Sequence, residues 1–199
     1  INGGSRTRTK YNYDANGNLL SITGASASTE TISPTSNRLN STSGAIARTY
    51  TYDNAGNTTS YTGAAFTFNQ RGRMSTATVS AGVTSYIYNA LGQLIEKSGN
   101  GGTTLIVYDE AGHLLGEYSS SGALIQETIW MGDTPVATLR PNGSTIAIYY
   151  VHTDQLGSAR KVEGPLFNGR LWRGDPDVYG TNLGPVSLTY NLRFPGMYY

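Results

Sequence analysis

The sequence contains no cysteine and few charged residues, and both features exclude classes of protein. Without cysteine the chain forms neither disulfide bonds nor a thiolate zinc site. Charged residues are 14% of the total, against about 25% in an ordinary soluble domain. A formal net charge of +1 gives no basic footprint for nucleic acid. The longest apolar run, Ile146 to Val151, falls far short of the roughly 20 residues that a membrane helix needs.

The sequence also lacks an initial methionine, a signal peptide and any clear helical pattern. It begins Ile1-Asn2-Gly3-Gly4, so we expect an internal piece of a longer protein whose targeting signals lie elsewhere. No segment keeps an apolar period of 3.6 residues over ten positions, and glycines interrupt each candidate. The sequence therefore predicts little or no helix.

Glycine and tyrosine are abundant, at 25 and 15 residues, and they recur in a repeated pattern. An aromatic or apolar pair, spaced by one residue, precedes Asp or Asn, and glycine follows three residues later. Copies begin at 11, 50, 66, 86 and 106, and residues 32–39 form a weaker copy. The turn positions are therefore 17, 37, 56, 72, 92 and 112. Six aligned copies predict a repeat protein.

Each copy predicts a β-hairpin. Two aromatic residues spaced by one position project from the same face of a strand. The Asp or Asn side chain opens the turn by bonding to nearby backbone, and glycine supplies the positive φ that such loops require. The predicted turn residues are Asp14, Gly17, Asn37, Asp53, Gly56, Gly72, Asn89, Gly92, Asp109 and Gly112. The predicted aromatic ladder is Tyr11, Tyr13, Tyr50, Tyr52, Phe66, Phe68, Tyr86, Tyr88 and Tyr108.

The pattern loosens after residue 115. We expect a shortened hairpin at 118–125, a turn at 139–144 centred on Asn142-Gly143, and a central buried strand from Ile146 to Val151. Gly24, Gly63 and Gly99 should mark the passage from one hairpin to the next. We predict one repeat region over 1–199, with regular repeats at 11–115, looser repeats at 116–163 and a Pro/Gly-rich end at 164–199, loop-rich up to Pro185. The predicted fold is all-β, a meander of antiparallel hairpins.

The repeated Tyr-Asp-x-x-Gly-x-Leu pattern resembles the YD repeat of Rhs proteins. Residues 149–160 are similar to the family's Tyr-His-x-Asp-x-Leu-Gly-Ser-Pro-Arg signature, with Ala159 in place of proline. Residues 191–199 resemble its Leu-Arg-Phe-Pro-Gly-Gln-Tyr-Tyr segment, with Met197 in place of Gln. The motif residues that match are His152, Asp154, Leu156, Gly157, Arg160, Arg193, Phe194, Pro195 and Gly196.

The resemblance implies part of a curved sheet that winds into a hollow shell. In bacterial members of the family such a shell encloses a C-terminal toxin or enzyme that is then exported, and teneurins of animals carry a similar shell in an adhesion receptor. The family's later Asp-Pro cleavage motif is missing from this sequence. Asp175-Pro176 lies before the Phe-Pro-Gly segment, so we do not assign that role to it.

Three groups of residues suggest chemistry on paper. His152, Asp154 and Ser158 lie within seven residues, but a triad is defined by geometry and the sequence has no nucleophile elbow. Asp14, Asp53 and Asp109 could stack into an acidic row that binds calcium weakly, but turn formation is the favoured explanation for them. A carboxylate pair drawn from Glu163, Asp175 and Asp177 would suit glycoside hydrolysis, but no pocket signature accompanies it. We predict no catalytic site, no metal site and no cofactor.

The leading hypothesis is a structural, non-catalytic segment of an Rhs/YD-repeat shell that encloses a C-terminal toxin and helps to deliver it. Its partners would be the remainder of the shell, the toxin, and a secretion apparatus or glycans. The chain would be secreted or displayed on the bacterial surface. One alternative is an adhesive or carbohydrate-binding module. Another is a subunit of an extracellular fibre, because open sheet edges with few charges favour edge pairing.

Overall fold

The computed structural model describes residues 8–24, 26–165, 169–174, 187–192 and 198. The described residues form strands and turns, and no α-helix is present among them. This confirms the all-β prediction. The strands are β1 Lys10–Tyr13, β2 Leu19–Thr23, β3 Ser28–Ile32, β4 Leu39–Gly44, β5 Arg48–Tyr52, β6 Thr58–Tyr61, β7 Ala64–Phe68, β8 Met74–Val79, β9 Gly82–Tyr88, β10 Leu94–Gly99, β11 Gly102–Tyr108, β12 Leu114–Ser119, β13 Leu124–Met131, β14 Thr134–Asn142, β15 Thr145–Thr153, β16 Ala159–Glu163 and β17 Arg170–Arg173.

Each strand pairs with the next strand in the sequence, and the pairing is antiparallel wherever the register is defined. Short loops explain this order, because a turn of a few residues can join antiparallel neighbours only. The register places Tyr50 opposite Tyr61 and Leu105 opposite Tyr118. The predicted meander is therefore confirmed. No helix in the described ranges is long and apolar enough to cross a membrane.

The chain divides into two compact units, Ile1–Ser85 and Tyr86–Tyr199. In the first unit, aromatic rings cluster on one sheet face. The ring centres of Tyr50 and Tyr61 lie 6.0 Å apart, and those of Tyr61 and Phe66 lie 5.4 Å apart. The Arg48 guanidinium lies 4.3 Å from the centre of the Tyr61 ring. These tilted ring contacts and the cation–π contact replace a conventional aliphatic core there.

Hydroxyl groups line the other face of the first unit. The Thr51 hydroxyl lies 2.8 Å from that of Thr59 and 2.6 Å from that of Ser60. Thr67 makes the same pair of contacts one hairpin later. Cross-strand hydroxyl pairs of this kind contribute to sheet stability without apolar burial. The alternation explains how a sheet with so few aliphatic residues remains ordered.

The second unit has a conventional core. Its buried members are Ile106, Leu114, Val151, Ala159, Val162, Trp172, Tyr190 and Leu192. The Trp172 and Tyr190 ring centres lie 5.5 Å apart. Residues 187–192 therefore return to pack against side chains from strands β11, β12 and β15–β17.

The structure corrects the prediction of a buried strand from Ile146 to Val151. These residues do form part of β15, and Val151 is buried. Ile146 and Ile148, however, are 60% and 44% exposed. The reason is the alternation of side chains along a strand: only the face that carries Val151 meets the core.

One turn prediction was displaced. The hairpin at 139–144 is present, but β14 continues through Asn142, so the turn is formed by Gly143 and Ser144 rather than by Asn142-Gly143. Gly99 ends β10 at the passage to the next hairpin, where it pairs with Gly102, which has positive φ. Gly24 and Gly63 have positive φ between hairpins. In the stretch 164–185, expected to be rich in loops, Arg170–Arg173 form strand β17, and residues 166–168 and 175–185 lie outside the described residues. The division into ranges of regular and looser repeats stays a prediction.

Candidate functional site

The repeat turns share one hydrogen-bonding arrangement, which Asp14 illustrates. Its Oδ1 atom accepts hydrogen bonds from the backbone N–H groups of Asn16 at 2.9 Å and Asn18 at 2.8 Å. The Gly17 N–H donates to the Asp14 carbonyl, and the Asp14 N–H donates to the Asn18 carbonyl. This is a four-residue β-turn that ends in a left-handed glycine, with φ +84° at Gly17.

The same backbone bonds and side-chain cap recur along the chain. The first residues of the turns that share them are Asp14, Asp53, Asn69, Asn89, Asp109, Ser119 and Asp154, each followed three residues later by Gly17, Gly56, Gly72, Gly92, Gly112, Gly122 or Gly157. Asn37 lies in a longer loop, in which the Ser33 N–H donates to the Arg38 carbonyl. Its side-chain oxygen accepts a 3.1 Å hydrogen bond from Asn18, so this loop is joined to the preceding turn.

The carboxylates of the first turns are occupied by their own loops. The Asn18 amide, the backbone N–H of Asn18 and other turn N–H groups hold the pKa of Asp14 below its usual range. The Asn57 amide does the same for the pKa of Asp53. Among the described residues, no three histidine or carboxylate side chains come together as metal ligands. The Asp14, Asp53 and Asp109 carboxylates each cap their own turn by accepting a backbone N–H.

The predicted aromatic ladder occupies the strands that precede these turns. Eight of its nine rings are half-buried, whereas Tyr13 is 54% exposed. The Tyr52 hydroxyl donates a 2.7 Å hydrogen bond to the Leu39 carbonyl, and the Arg38 guanidinium lies 5.5 Å from the centre of the Tyr52 ring. Whether these rings contact any partner stays a prediction.

The family motif at 152–160 makes two separate side-chain contacts, one from Arg160 and one from His152. Arg160 contacts Asp154 Oδ2 through Nε at 2.9 Å and Nη2 at 2.8 Å, which locks the last of the capped turns. His152 instead contacts Glu163, with 2.8 Å between Nε2 and Oε2. Ser158 donates its backbone N–H to Asp154. His152, Asp154 and Ser158 therefore form no hydrogen-bonded relay from one side chain to the next. Of the other motif residues, Leu156 is 67% exposed and Gly157 has positive φ. Arg193, Phe194, Pro195 and Gly196 lie outside the described residues, as do Asp175 and Asp177.

A buried polar cluster in the second unit was missed by the sequence analysis. Glu117 and Gln126 are 2% and 1% exposed, and the Gln126 amide donates to Glu117 Oε1. Glu117 Oε2 accepts hydrogen bonds from the Asn191 amide at 3.0 Å and the Tyr198 hydroxyl at 2.9 Å. Arg140 contacts Gln126 Oε1 at 2.8 Å.

The cluster joins Thr189, Asn191 and Tyr198 to the sheet. Besides Gln126, Arg140 binds the Thr189 carbonyl at 2.6 Å. Burial, and then the charge of Glu117, raise the pKa of Tyr198 and of Tyr190, so both phenols stay neutral. A buried carboxylate is tolerated only when its oxygens are hydrogen-bonded, and the C-terminal residues supply two of the donors. No local pattern in the sequence signals this long-range contact.

A second cluster lies at the edge of the sheet where three turns meet. Both ring nitrogens of His113 lie 2.9 Å from carboxylate oxygens, Nδ1 from Asp109 and Nε2 from Asp133. The His113 ring stacks on Trp130 with 4.6 Å between ring centres. His113, Trp130, Asp133 and Leu156 line an open cleft of about 310 Å³.

The fold and its turns define a class, the β-hairpin repeat proteins. The sequence matches the family described as Teneurin YD-shell over residues 1–164, and the chain belongs to that family. Sequence comparison with curated proteins finds no match.

Solved structures with a similar fold come from bacterial toxin complexes. A mutant Tc holotoxin pore of Photorhabdus luminescens is 15% identical, with a TM-score of 0.46, and the match covers 96% of this chain and 14% of that one. The complex of TcdB2 with TccC3 is 13% identical, with a TM-score of 0.36, over 81% of this chain and 10% of that one. At these identities and TM-scores the likeness carries no conclusion about this chain. The chain spans about one seventh or less of the length of these proteins.

Proposed function

We propose that this chain is a non-catalytic wall segment of a YD-repeat shell that encloses a C-terminal toxin domain and helps to deliver it. Membership of the YD-shell family supports a structural role. The supporting observation in the structure is the unbroken neighbour-to-neighbour meander, in which turn after turn is closed by the same capped loop. Further hairpins can be added to such a sheet with the same turns and the same neighbour pairing, as in other repeat proteins.

The packing of the sheet is consistent with a wall. Its first unit is held by ring contacts and hydroxyl pairs, and its second by an aliphatic and aromatic core. Among the described residues, the carboxylates of Asp14, Asp53 and Asp109 cap turns, and that of Asp154 pairs with Arg160. We propose that the intact polypeptide is exported, and that the enclosed toxin and the rest of the shell are the partners of this segment.

The experiment is electron microscopy of the intact parent polypeptide, with mass spectrometry and limited proteolysis of the same sample. A closed hollow particle with internal density, and a fragment that resists protease, would support the shell. A fibre or an open sheet array would overturn it in favour of self-assembly. A particle without internal density that binds cells or glycans would favour adhesion.

Substitutions of two leucines provide a test variant and a control variant for the proteolysis experiment. Leu114 is 3% exposed in the core of the second unit, whereas Leu91 is 82% exposed on a turn. Leu114→Asp places a charge in the core and should open the wall, so that the internal fragment becomes sensitive to protease. Leu91→Asp should leave the fragment protected. Equal protection in both variants would mean that this wall does not guard the fragment.

A further inference from the structure

His113 joins two hairpin turns that are not consecutive. Asp109 belongs to the turn between β11 and β12, together with His113 itself, and Asp133 belongs to the turn between β13 and β14. Trp130, whose indole N–H donates to the Leu114 carbonyl at 3.0 Å, fixes the plane on which the imidazole lies. The ring is thus held in a position where both nitrogens meet carboxylate oxygens.

This geometry depends on the protonation state of the ring. An ionised carboxylate only accepts hydrogen bonds, and a neutral imidazole has a single N–H. Both 2.9 Å contacts are therefore hydrogen bonds only in the imidazolium form. The bond to Asp109, and then the bond to Asp133, raise the pKa of His113 above its ordinary value. When the ring loses a proton, one nitrogen faces a carboxylate oxygen with no hydrogen between them.

The contact that is lost on deprotonation is the one to Asp133. Asp109 is held in place because its Oδ1 caps the turn by accepting the backbone N–H of His113. The Asp133 side chain is 99% exposed, and His113 is its one recorded partner among the described residues. It can therefore rotate into solvent with little cost, whereas Asp109 cannot.

Few other charges face the imidazole. Glu110, on the same turn, is exposed to solvent. The neighbouring turn between β9 and β10 brings the neutral amide of Gln93 close to Gly112. The turn between β15 and β16 contributes Leu156 to the cleft, and its Asp154 is paired with Arg160. Asp109 and Asp133 are thus the charged groups that control the protonation of the His113 ring.

We propose that His113 is a pH-operated clasp, which bridges the β11–β12 and β13–β14 turns when protonated and releases Asp133 when neutral. The clasp closes in acid and opens as the pH rises. Opening frees one wall of the cleft beside Trp130. The inference does not depend on what the repeat sheet encloses.

The test is a pH titration of the histidine ring signals by NMR in the full chain, labelled with ¹³C-histidine. The chain has two histidines, so His152 is an internal reference. The His113 midpoint should lie above about 6.5, the ordinary histidine value. Asp133→Asn should lower the His113 midpoint by roughly a few tenths of a pKa unit, as expected for an exposed ion pair. The titration midpoint of His152 should be the same in Asp133→Asn and in the wild type.

The control is Glu110→Gln, which removes an exposed carboxylate from the same turn and should leave the midpoint of His113 in place. A second readout is the melting temperature, which Asp133→Asn should lower at about pH 5 but not at about pH 9. A His113 midpoint that is the same in Asp133→Asn and wild type would overturn the clasp. A melting difference independent of pH would also overturn it.

Discussion

The Tyr198 hydroxyl donates a 2.9 Å hydrogen bond to Glu117, which lies 81 positions earlier in the chain. The carboxylate is buried, and the amides of Gln126 and Asn191 donate to it as well. Polar groups, and not only the apolar core, therefore hold the described C-terminal residues on the second unit. The three hydrogen-bond donors to Glu117 are neutral. The positive charge that attracts its carboxylate is that of nearby Arg140.

Tyr198→Phe should destabilise the protein, because it removes a donor from a buried carboxylate. The expected loss in free energy of unfolding is about 1.5–3 kcal/mol. Tyr190→Phe is the matched control, since the buried Tyr190 hydroxyl has no hydrogen-bond partner among the described residues. That change should leave the stability equal or slightly higher. Urea unfolding of the two variants measures both changes. Equal losses in free energy of unfolding would argue against Glu117 as the acceptor that holds Tyr198.

Gly17→Ala should cost about 1–2 kcal/mol, because the turn requires φ +84° and an L side chain is strained there. No heavy atom lies within 4 Å of the added Cβ, so the cost comes from the backbone alone. Gly101 is the control: its Cβ position is equally open, but its φ is not positive. Gly101→Ala should be neutral or stabilising. Similar unfolding midpoints for the two variants would contradict the turn geometry.

Asp53→Asn should reduce the sensitivity of the protein to acid. The folded pKa of Asp53 is lowered, so its stabilising contribution is present above the ordinary aspartate value and is lost as the pH falls through the folded value. An asparagine caps the same turn at Asn69 without titrating. Below about pH 4 the melting temperature of the variant should therefore fall less than that of the wild type.

The converse change is the control for this pH dependence. Asn69→Asp places a titratable group in an equivalent turn, and it should add acid sensitivity that the wild type lacks. If the two substitutions shift the melting curves in the same direction with pH, the caps do not carry the effect.

Thr138→Val should leave stability unchanged or raise it by about 1 kcal/mol. Thr138 is fully buried opposite Thr128, and neither hydroxyl has a hydrogen-bond partner among the described residues. Replacing an unsatisfied buried hydroxyl by a methyl group of similar size removes a desolvation cost. Thr51→Val, which deletes an exposed hydroxyl bonded to Ser60, should not stabilise. Calorimetry of both variants tests the contrast.

The hairpins were predictable because their determinants are local. The cap at Asp14 and the glycine at Gly17 act within five residues, so the pattern alone located the turn. The burial of β15 was not predictable from its composition. Ile146 and Val151 have similar hydrophobicity, and their different exposure depends on which face another segment covers.

The two polar clusters were also beyond local reasoning. Glu117 resembles an ordinary strand carboxylate, and its burial depends on residues more than 70 positions away. His113 occupies the place that a polar residue such as Asn18 or Asn57 takes in other turns, and its cap with Asp109 follows the repeat. Its contact with Asp133 depends on the spacing of turns along one edge of the sheet.

The pairing of every strand with its successor has a consequence for how the molecule forms. Chain closure costs little entropy when the partners are close in the sequence, so each hairpin can assemble soon after its own residues are available. A polypeptide of this design can emerge from a ribosome and acquire structure progressively, from one end to the other. The hydrogen bonds of Glu117 with Asn191 and Tyr198 must form later, because these partners lie more than 70 positions further along the chain.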